Sequence, residues 1–344
     1  MDTKPKAYVA TGTEASWYRG WTLTDAEREK FRQTSLTSQA AKARAMRGEC
    51  DKPKHPILTP RLDPCTLMPA RRSNGLTALS LFSGGGGLDI GFDKAGYRHA
   101  ASYDILPLVA HVLKAAWPER KIFAGDAGDV TQVTWRKYRG QVDVLHGGPP
   151  CQPFSHAGSR EGASDVRDMI PELVRAIREI RPRAFLCENV SGLATKKFMP
   201  YLRTVLFEPL RRRYIIRMFT LEAASFGVPQ RRKRVFFVGF SDKHAAERFC
   251  EPAPTHSWDG TSVLPKTMGT REALGLPDAG FDGLAPTIRS GLTGPRHSTS
   301  VVNSATSLRD WNALGIWPNG VAPDRYAASL FVAKNGHYRL SLAD

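Results

Sequence analysis

The sequence predicts an α/β protein with a mostly parallel, Rossmann-like sheet carrying helices on both faces, followed by a smaller irregular lobe. Three observations predict it. Between residues 76 and 240 short apolar runs alternate with amphipathic helices, the pattern of parallel strands joined by crossover helices. Four consecutive glycines, Gly84 to Gly87, stand directly after the first apolar run, where open α/β sheets bind ligands. Beyond Phe240 the periodicity gives way to Gly, Pro, Thr and Ser, with Trp258, Trp311 and Trp317 spaced through them.

Residues 1–75 read as an N-terminal extension. Thr24 and Glu27 form a T-x-x-E capping box for one helix, which Gly48 can stop, and the Pro-rich residues 53–69 read as a linker. Its formal charge is about +6, from 14 Lys and Arg against 8 Asp and Glu, so it either touches the phosphates of a polyanion or packs as a solvated helix. Leu76 to Phe82 reads as a buried strand, residues 107–116 as a helix, and Val142 to Leu145 as another strand. Glu172 to Ile180 sets Leu173, Val174, Ile177 and Ile180 on one helical face, and Pro182 closes that helix before a strand from Ala184 to Cys187. Val235 to Phe240 is a further strand. Residues 241–336 then form the second lobe, in which the three tryptophans read as core, and residues 337–344 begin a last block.

A chain of 344 residues, 41% hydrophobic, can bury a sizeable core. No run of about 18 apolar residues occurs, and the N-terminus lacks an apolar signal core, so the expectation is a cytoplasmic protein without a membrane partner. Five cysteines stand singly, which fits a reducing compartment and no structural zinc or other metal. Cys50, Cys65, Cys187 and Cys250 read as small buried hydrophobes. The formal charge of +16 fits either a polyanionic partner, nucleic acid first, or a generally basic soluble surface.

Four segments carry chemistry. In LSLFSGGGGLDIGF (79–92) the glycines let backbone approach a ligand, although the same residues serve a plain strand-to-helix turn. Asp104 and Asp126 follow the second and third strands, where acids accept hydrogen bonds from ribose hydroxyls or an adenine amino group; singly, either is equally a turn or cap residue. In GGPPCQPFS (147–155) two prolines stiffen the approach to Cys151, which suggests a thiol held at a strand's carboxyl edge. In RPRAFLCENVSG (181–192) a strand delivers Glu188 and Asn189, and Glu188 could engage a ring nitrogen or simply cap a turn. Finally, FGVPQRRKRVFFVGF (226–240) alternates Gln230, Arg232 and Arg234, so that all three could converge on one oxygen-rich target or form an ordinary solvated basic edge.

FSGGGG, GGPPCQPFS, ENV and QRRKR, in this order, resemble the blocks of the DNA cytosine-5 methyltransferase family of bacterial restriction-modification systems. The resemblance covers roughly Leu76 to Phe240, and DVRDMI (165–170) resembles a further block with Ile170 in place of leucine. It implies S-adenosyl-L-methionine as methyl donor, held by Phe82, Gly84, Gly86, Leu88, Asp104, Ile105, Asp126 and Pro150. It implies a target-base site of Cys151, Glu188, Arg232 and Arg234, acting on a cytosine flipped out of double-stranded DNA. The lobe after Phe240 stands where the family keeps its target-recognition region, and Arg271, Arg289, Arg296 and Arg309 there could hold phosphates or read guanines, the phosphate role or a plain surface position being the stronger reading for any one of them. The expected state on DNA is a monomer. The family's Gly-Asn-Ala-Val block is not found, and HYRLSLAD (337–344) resembles only the start of the block before it. A second polypeptide would supply the missing part, or the chain is a fragment; an assembly-dependent or inactive DNA-binding fragment and an RNA cytosine methyltransferase are the alternatives. A nicotinamide dehydrogenase would share the glycine turn but gives no reason for P-P-C-Q.

Overall fold

The computed structural model describes residues 71–150, 168–276, 278–288, 305–322 and 338–341, together with Asp25, Ala26, Glu29, Gln33 and Leu36. Those five are helical, and Gln33 Nε2 donates to Glu29 Oε1 (2.7 Å). The capping box at Thr24 and Glu27 and the Pro-rich linker lie outside the described residues.

A seven-stranded sheet organises the molecule: β1 (Thr77–Leu81), β2 (Arg98–Asp104), β3 (Ile122–Ala124), β4 (Val144–Gly147), β5 (Ala184–Val190), β6 (Ile215–Glu222) and β8 (Lys233–Phe240), in the order β3-β2-β1-β4-β5-β8-β6. Neighbours from β3 through β5 are parallel, whereas β8 runs antiparallel to both β5 and β6. β1 is central and buried at all five positions, which is why TALSL carries no charged residue. From β1 the chain builds outward through β2 to β3, then crosses back to β4 on the other side of β1 and continues to β5. The switch point of the sheet therefore falls between β1 and β4, where such sheets bind ligands.

Helices α1 (Gly87–Lys94), α2 (Pro107–Ala116) and α3 (Ile170–Ile180) connect these strands. α2 begins with Pro107, whose fixed φ suits the first turn and whose missing N–H is not needed there. In α3 the expected face is buried: Leu173, Val174, Ile177 and Ile180 pack with Ile170 and Ala176 into the main core. Arg181 ends the helix at φ 55, and Pro182 cannot continue it. The next helix runs as α4 (Met199–Leu202), a π-helical turn (Arg203–Phe207) and α5 (Glu208–Leu210), burying Leu202, Leu206 and Leu210.

β4 starts two residues later than the apolar run suggests. Asp143, between Val142 and Val144, spends its carboxylate on the Thr77 N–H (2.9 Å), and the ladder opens only at Ala78 opposite Val144. Val142 is buried in the core without belonging to the strand.

Past Phe240 come α6 (Lys243–Arg248), α7 (Thr270–Ala273), β9 (Ala285–Pro286), α8 (Ala305–Ala313), β10 (Ile316–Ala322) and β11 (Tyr338–Ser341). A small core of Ala285, Trp311, Leu314 and Ile316 holds this region, with Trp311 buried as expected and Trp258 half-buried. The lobe is tied to the main body where β9 pairs with β7 (Gln230–Arg231) and where Arg231 meets Asp310 (2.8 Å). Cys187 is fully buried, but Cys250 is exposed, against expectation. It follows α6 where the chain leaves the sheet layer, and its thiol reaches only the Arg248 carbonyl. No helix among the described residues is long and apolar enough to cross a membrane.

Candidate active site

Two loops leave the carboxyl edge of the sheet side by side, one after β1 and one after β4. In the first, Phe82 (φ 55), Gly84 (φ 52) and Gly86 (φ 78) all take left-handed backbone conformations. A non-glycine residue held there is strained, and such strain gathers at binding sites. The turn is fastened by Asp104 at the end of β2: one carboxylate oxygen accepts the Gly84 N–H (2.8 Å), the other the Leu106 N–H (2.8 Å). Burial raises the Asp104 pKa, while these two backbone hydrogen bonds work against the rise. Each oxygen keeps a lone pair for a ligand hydroxyl. Methyl groups built onto Gly84, Gly85 or Gly87 would meet nothing within 4 Å, so the turn faces open space. At Gly86 a side chain would instead strike Leu113 at 2.8 Å.

Three more of the expected cofactor residues follow the carboxyl ends of β1, β2 and β3, which are neighbours in the sheet. Leu88 is half-buried in the first turn of α1; Ile105 is exposed directly after Asp104; Asp126 is exposed in the 3-10 turn Gly125–Gly128 that follows β3. An open glycine cradle, a carboxylate with spare acceptor capacity, an exposed apolar side chain and a second acid suit an adenosine-bearing ligand.

The second loop carries Gly148, Pro149 and Pro150. Cys151 lies outside the described residues, as do the first three residues of DVRDMI; Asp168, within that segment, accepts from Ile170 N (3.1 Å) and Tyr201 Oη (2.5 Å). β5 supplies the anchor that the sequence did not reveal as such. Asn189 is 1% exposed and its Nδ2 donates to the Pro149 carbonyl (3.2 Å), which holds the proline pair against the neighbouring strand two residues before Cys151.

Glu188 stands beside that anchor. The antiparallel course of β8 sets Val190 opposite Arg234 and Glu188 opposite Phe236, so Glu188 and Arg234 are diagonal neighbours on one sheet face. Arg234 Nε lies 2.8 Å from Glu188 Oε1, and an Arg232 guanidinium nitrogen lies 3.8 Å from the same oxygen. The Arg232 N–H is in turn held by Glu222 Oε1 (2.6 Å). A methyl group at Gly148 would sit 3.1 Å from Glu188 Oε2, so glycine leaves the second carboxylate oxygen clear beside the proline loop. Glu188, Arg232 and Arg234 thus converge as expected. Gln230 does not join them, because the extended segment is interrupted and Gln230 pairs with Ala285 in the lobe.

These features are matched by relatives. Residues 76–272, more than half of the chain, match the family model described as C-5 cytosine-specific DNA methylase. The chain belongs to this family. Among methylases similar to it are type II methyltransferase M.AquIA of Picosynechococcus sp., 37% identical over 191 residues, covering 52% of this chain and 76% of the relative. M.NgoMIV of Neisseria gonorrhoeae is 34% identical over 197 residues, 56% of this chain and 58% of the relative. M.NaeI of Lentzea aerocolonigenes is 31% identical over 258 residues, 72% of this chain and 60% of the relative. The chain thus spans less than two thirds of the length of the latter two. The methylase fold explains why the glycine turn, the proline loop and the Glu188 pair all lie along one sheet edge: each follows the carboxyl end of a strand, or reaches it by running antiparallel.

Under the sheet, the methylase core holds a polar network that sequence reasoning missed. His146 on β4 and His99 on β2 are fully buried with their Nε2 atoms 2.8 Å apart, and His99 Nδ1 meets Asp93 Oδ1 (2.9 Å). Asp89 accepts from Ser80 and Ser102, and Arg120 reaches both Asp89 and Asp93. Burial, with the charges of His99 and Arg120, pushes the His146 pKa well below 6.5. Asp89, His99 and His146 bring ligand-type atoms within 4.8 Å of one another, and those atoms are engaged in this network.

In the lobe, Arg271 is committed internally: it donates to the Leu314 carbonyl (2.8 Å) and stacks over Phe281. Arg309 is exposed on α8, and Arg289 and Arg296 lie outside the described residues.

Proposed function

We propose that this chain transfers a methyl group from S-adenosyl-L-methionine to carbon 5 of a cytosine swung out of duplex DNA, and that it serves a restriction-modification system. The observation that carries the reading is the convergence of Glu188, Arg232 and Arg234 beside the proline loop that leads to Cys151, next to an open glycine turn. The name type II methyltransferase, borne by all three relatives above, supports the biological role.

Carbon 5 of cytosine is a poor nucleophile, so covalent activation is needed. The Cys151 thiolate adds to carbon 6: a sulfur–carbon bond forms, and the displaced π pair makes carbon 5 nucleophilic. Glu188 engages N3 and Arg234 the O2 oxygen, where negative charge develops. The ion pair between them keeps both side chains in place before the base enters. Arg232 adds positive charge to the same corner.

The donor supplies an electrophilic methyl carbon on a sulfonium. Gly84 and Gly86 let it approach the backbone, Asp104 accepts ribose hydroxyls, Asp126 receives the adenine amino group, Phe82, Leu88 and Ile105 give apolar contact, and Pro150 bounds the site toward the base. After methyl transfer, loss of the carbon 5 proton and departure of the cysteine sulfur restore the aromatic ring. Extruding the base costs roughly a few kcal/mol, which contacts from the lobe of residues 241–336 offset. The role of that lobe is target recognition.

Tritium-labelled S-adenosylmethionine, incubated with the chain and a random-sequence duplex, should leave label in 5-methyldeoxycytidine after digestion to nucleosides. Label confined to an exocyclic nitrogen, or appearing only when RNA replaces DNA, would overturn the assignment.

A further inference from the structure

A groove of about 600 Å³ runs along the outer side of α3, between the 3-10 turn Trp135–Tyr138 and the π-helical turn. It shares no residue with the Glu188 site. Its wall is arginine: Arg136, Arg139, Arg175, Arg178 and Arg181, against the single acid Glu179. Val174, Val205 and Pro209 form an apolar floor on which arginine stems can lie with their heads outward.

The local acids are consumed within the fold. Arg175 joins Glu172 (2.7 Å) and Glu179 (3.1 Å), and also donates to the Val130 and Val133 carbonyls. The other Glu179 oxygen accepts the Trp135 N–H (2.9 Å), and Arg139 Nε is held by the Glu179 carbonyl (2.8 Å). Arg175 therefore serves as scaffold. Arg136, Arg139, Arg178 and Arg181 keep exposed guanidinium groups, and among the described residues no carboxylate lies within ion-pair distance of them. Further arginines are exposed nearby in sequence, Arg203 on the π-helical turn and Arg212 and Arg213 in the turn after α5.

Like charges gathered this closely repel one another, and an anion relieves the repulsion. Guanidinium forks match phosphate oxygens, and from Pro171 to Arg181 the helix face extends about 15 Å, longer than one phosphate. We infer that this groove is a second polyanion site, which takes the sugar–phosphate backbone of duplex DNA away from the segment being methylated. It would let the protein hold or scan DNA outside its catalytic edge. The inference takes from the proposed function only that the chain works on duplex DNA.

The test compares the full chain with the combined variant Arg136→Gln, Arg178→Gln, Arg181→Asn. Asparagine is chosen at 181 because it tolerates the left-handed φ of 55 found there. A control removes the same charge elsewhere, through Lys114→Gln, Lys121→Gln and Arg248→Gln, all exposed positions. Anisotropy titrations of a random-sequence 60-bp duplex between about 50 and 300 mM salt give the slope of log K against log salt. Losing three phosphate contacts should make that slope less negative by about 2.7, with a change below about 1 in the control. Unfolding midpoints confirm that each variant is folded, and methyl transfer at saturating DNA should match the parent. An unchanged slope in the groove variant, with methyl transfer intact, overturns the groove alone. If the parent binds DNA with the expected groove contribution but transfers no methyl group, the proposed function falls and the groove stands. A loss of slope seen with duplex RNA and not with DNA overturns the choice of ligand.

Discussion

Asn189 holds the Pro149 carbonyl from a fully buried position, so its amide sets where the segment toward Cys151 leaves β4. Asn189→Ala leaves that carbonyl unpaired in a buried setting, a loss of about 1–3 kcal/mol. If the loop relaxes as a result, single-turnover methyl transfer should fall about tenfold or more while the Kd for DNA stays within about twofold. An equal loss of rate and DNA affinity would point to general misfolding instead. Gly86 gives a sharper steric case. Its φ of 78 disfavours any side chain, and a Cβ would stand 2.8 Å from Leu113 and 3.1 Å from Trp117. Gly86→Ala should lower stability by about 1–3 kcal/mol, read as a lower urea midpoint at constant m-value. Gly85→Ala, at a position with open space around it, should change stability far less.

At the scale of elements, α1 is fastened to the sheet by the network of Asp89, Asp93, His99, His146 and Arg120. His146 is neutral in the folded chain because burial opposes its charge, with His99 and Arg120 adding to the effect. Its folded pKa lies below its unfolded value of 6.5, so the unfolded chain takes up the proton first. The stability His146 contributes is present above pH 6.5 and is lost as pH falls below it, by up to about 1.4 kcal/mol per pH unit. Asp93 acts in the same direction at lower pH: burial raises its pKa, but hydrogen bonds from His99 and Arg120 outweigh this and hold it below 3.8. Urea midpoints should drop between pH 7 and pH 5, and His146→Phe should flatten that drop. A midpoint independent of pH across this range would contradict the account. Nothing in the sequence pointed to this network, since His99 and His146 stand 47 residues apart and meet only when β2 and β4 flank β1. The boundaries of α2 were legible because Pro107 opens it and its apolar spacing is local. The direction of β8 was not, because a period of two marks a strand without saying which way it runs. That direction is what brings Arg234 to Glu188.

For the whole molecule, a sheet with its switch point between β1 and β4 lines up the glycine turn, the proline loop and the Glu188–Arg234 pair along one edge, and β7 and β9 tie the lobe to that edge. The glycine and proline segments and the E-N-V and Q-x-R-x-R residues were all readable in the chain, since each is a local motif whose residue types announce their chemistry. The arginine groove was not, because its lining comes from three separate stretches and only packing unites them. The central claim is that Cys151 bonds covalently to an extruded cytosine. It is tested most directly by mixing the chain and S-adenosylmethionine with a randomised duplex library substituted throughout with 5-fluorocytosine. Fluorine at carbon 5 cannot leave as a proton does, so the account predicts a denaturation-resistant protein–DNA adduct, abolished by Cys151→Ala and strongly reduced by Glu188→Gln. An adduct that persists in Cys151→Ala, or a parent chain that methylates DNA yet forms no adduct, would contradict it.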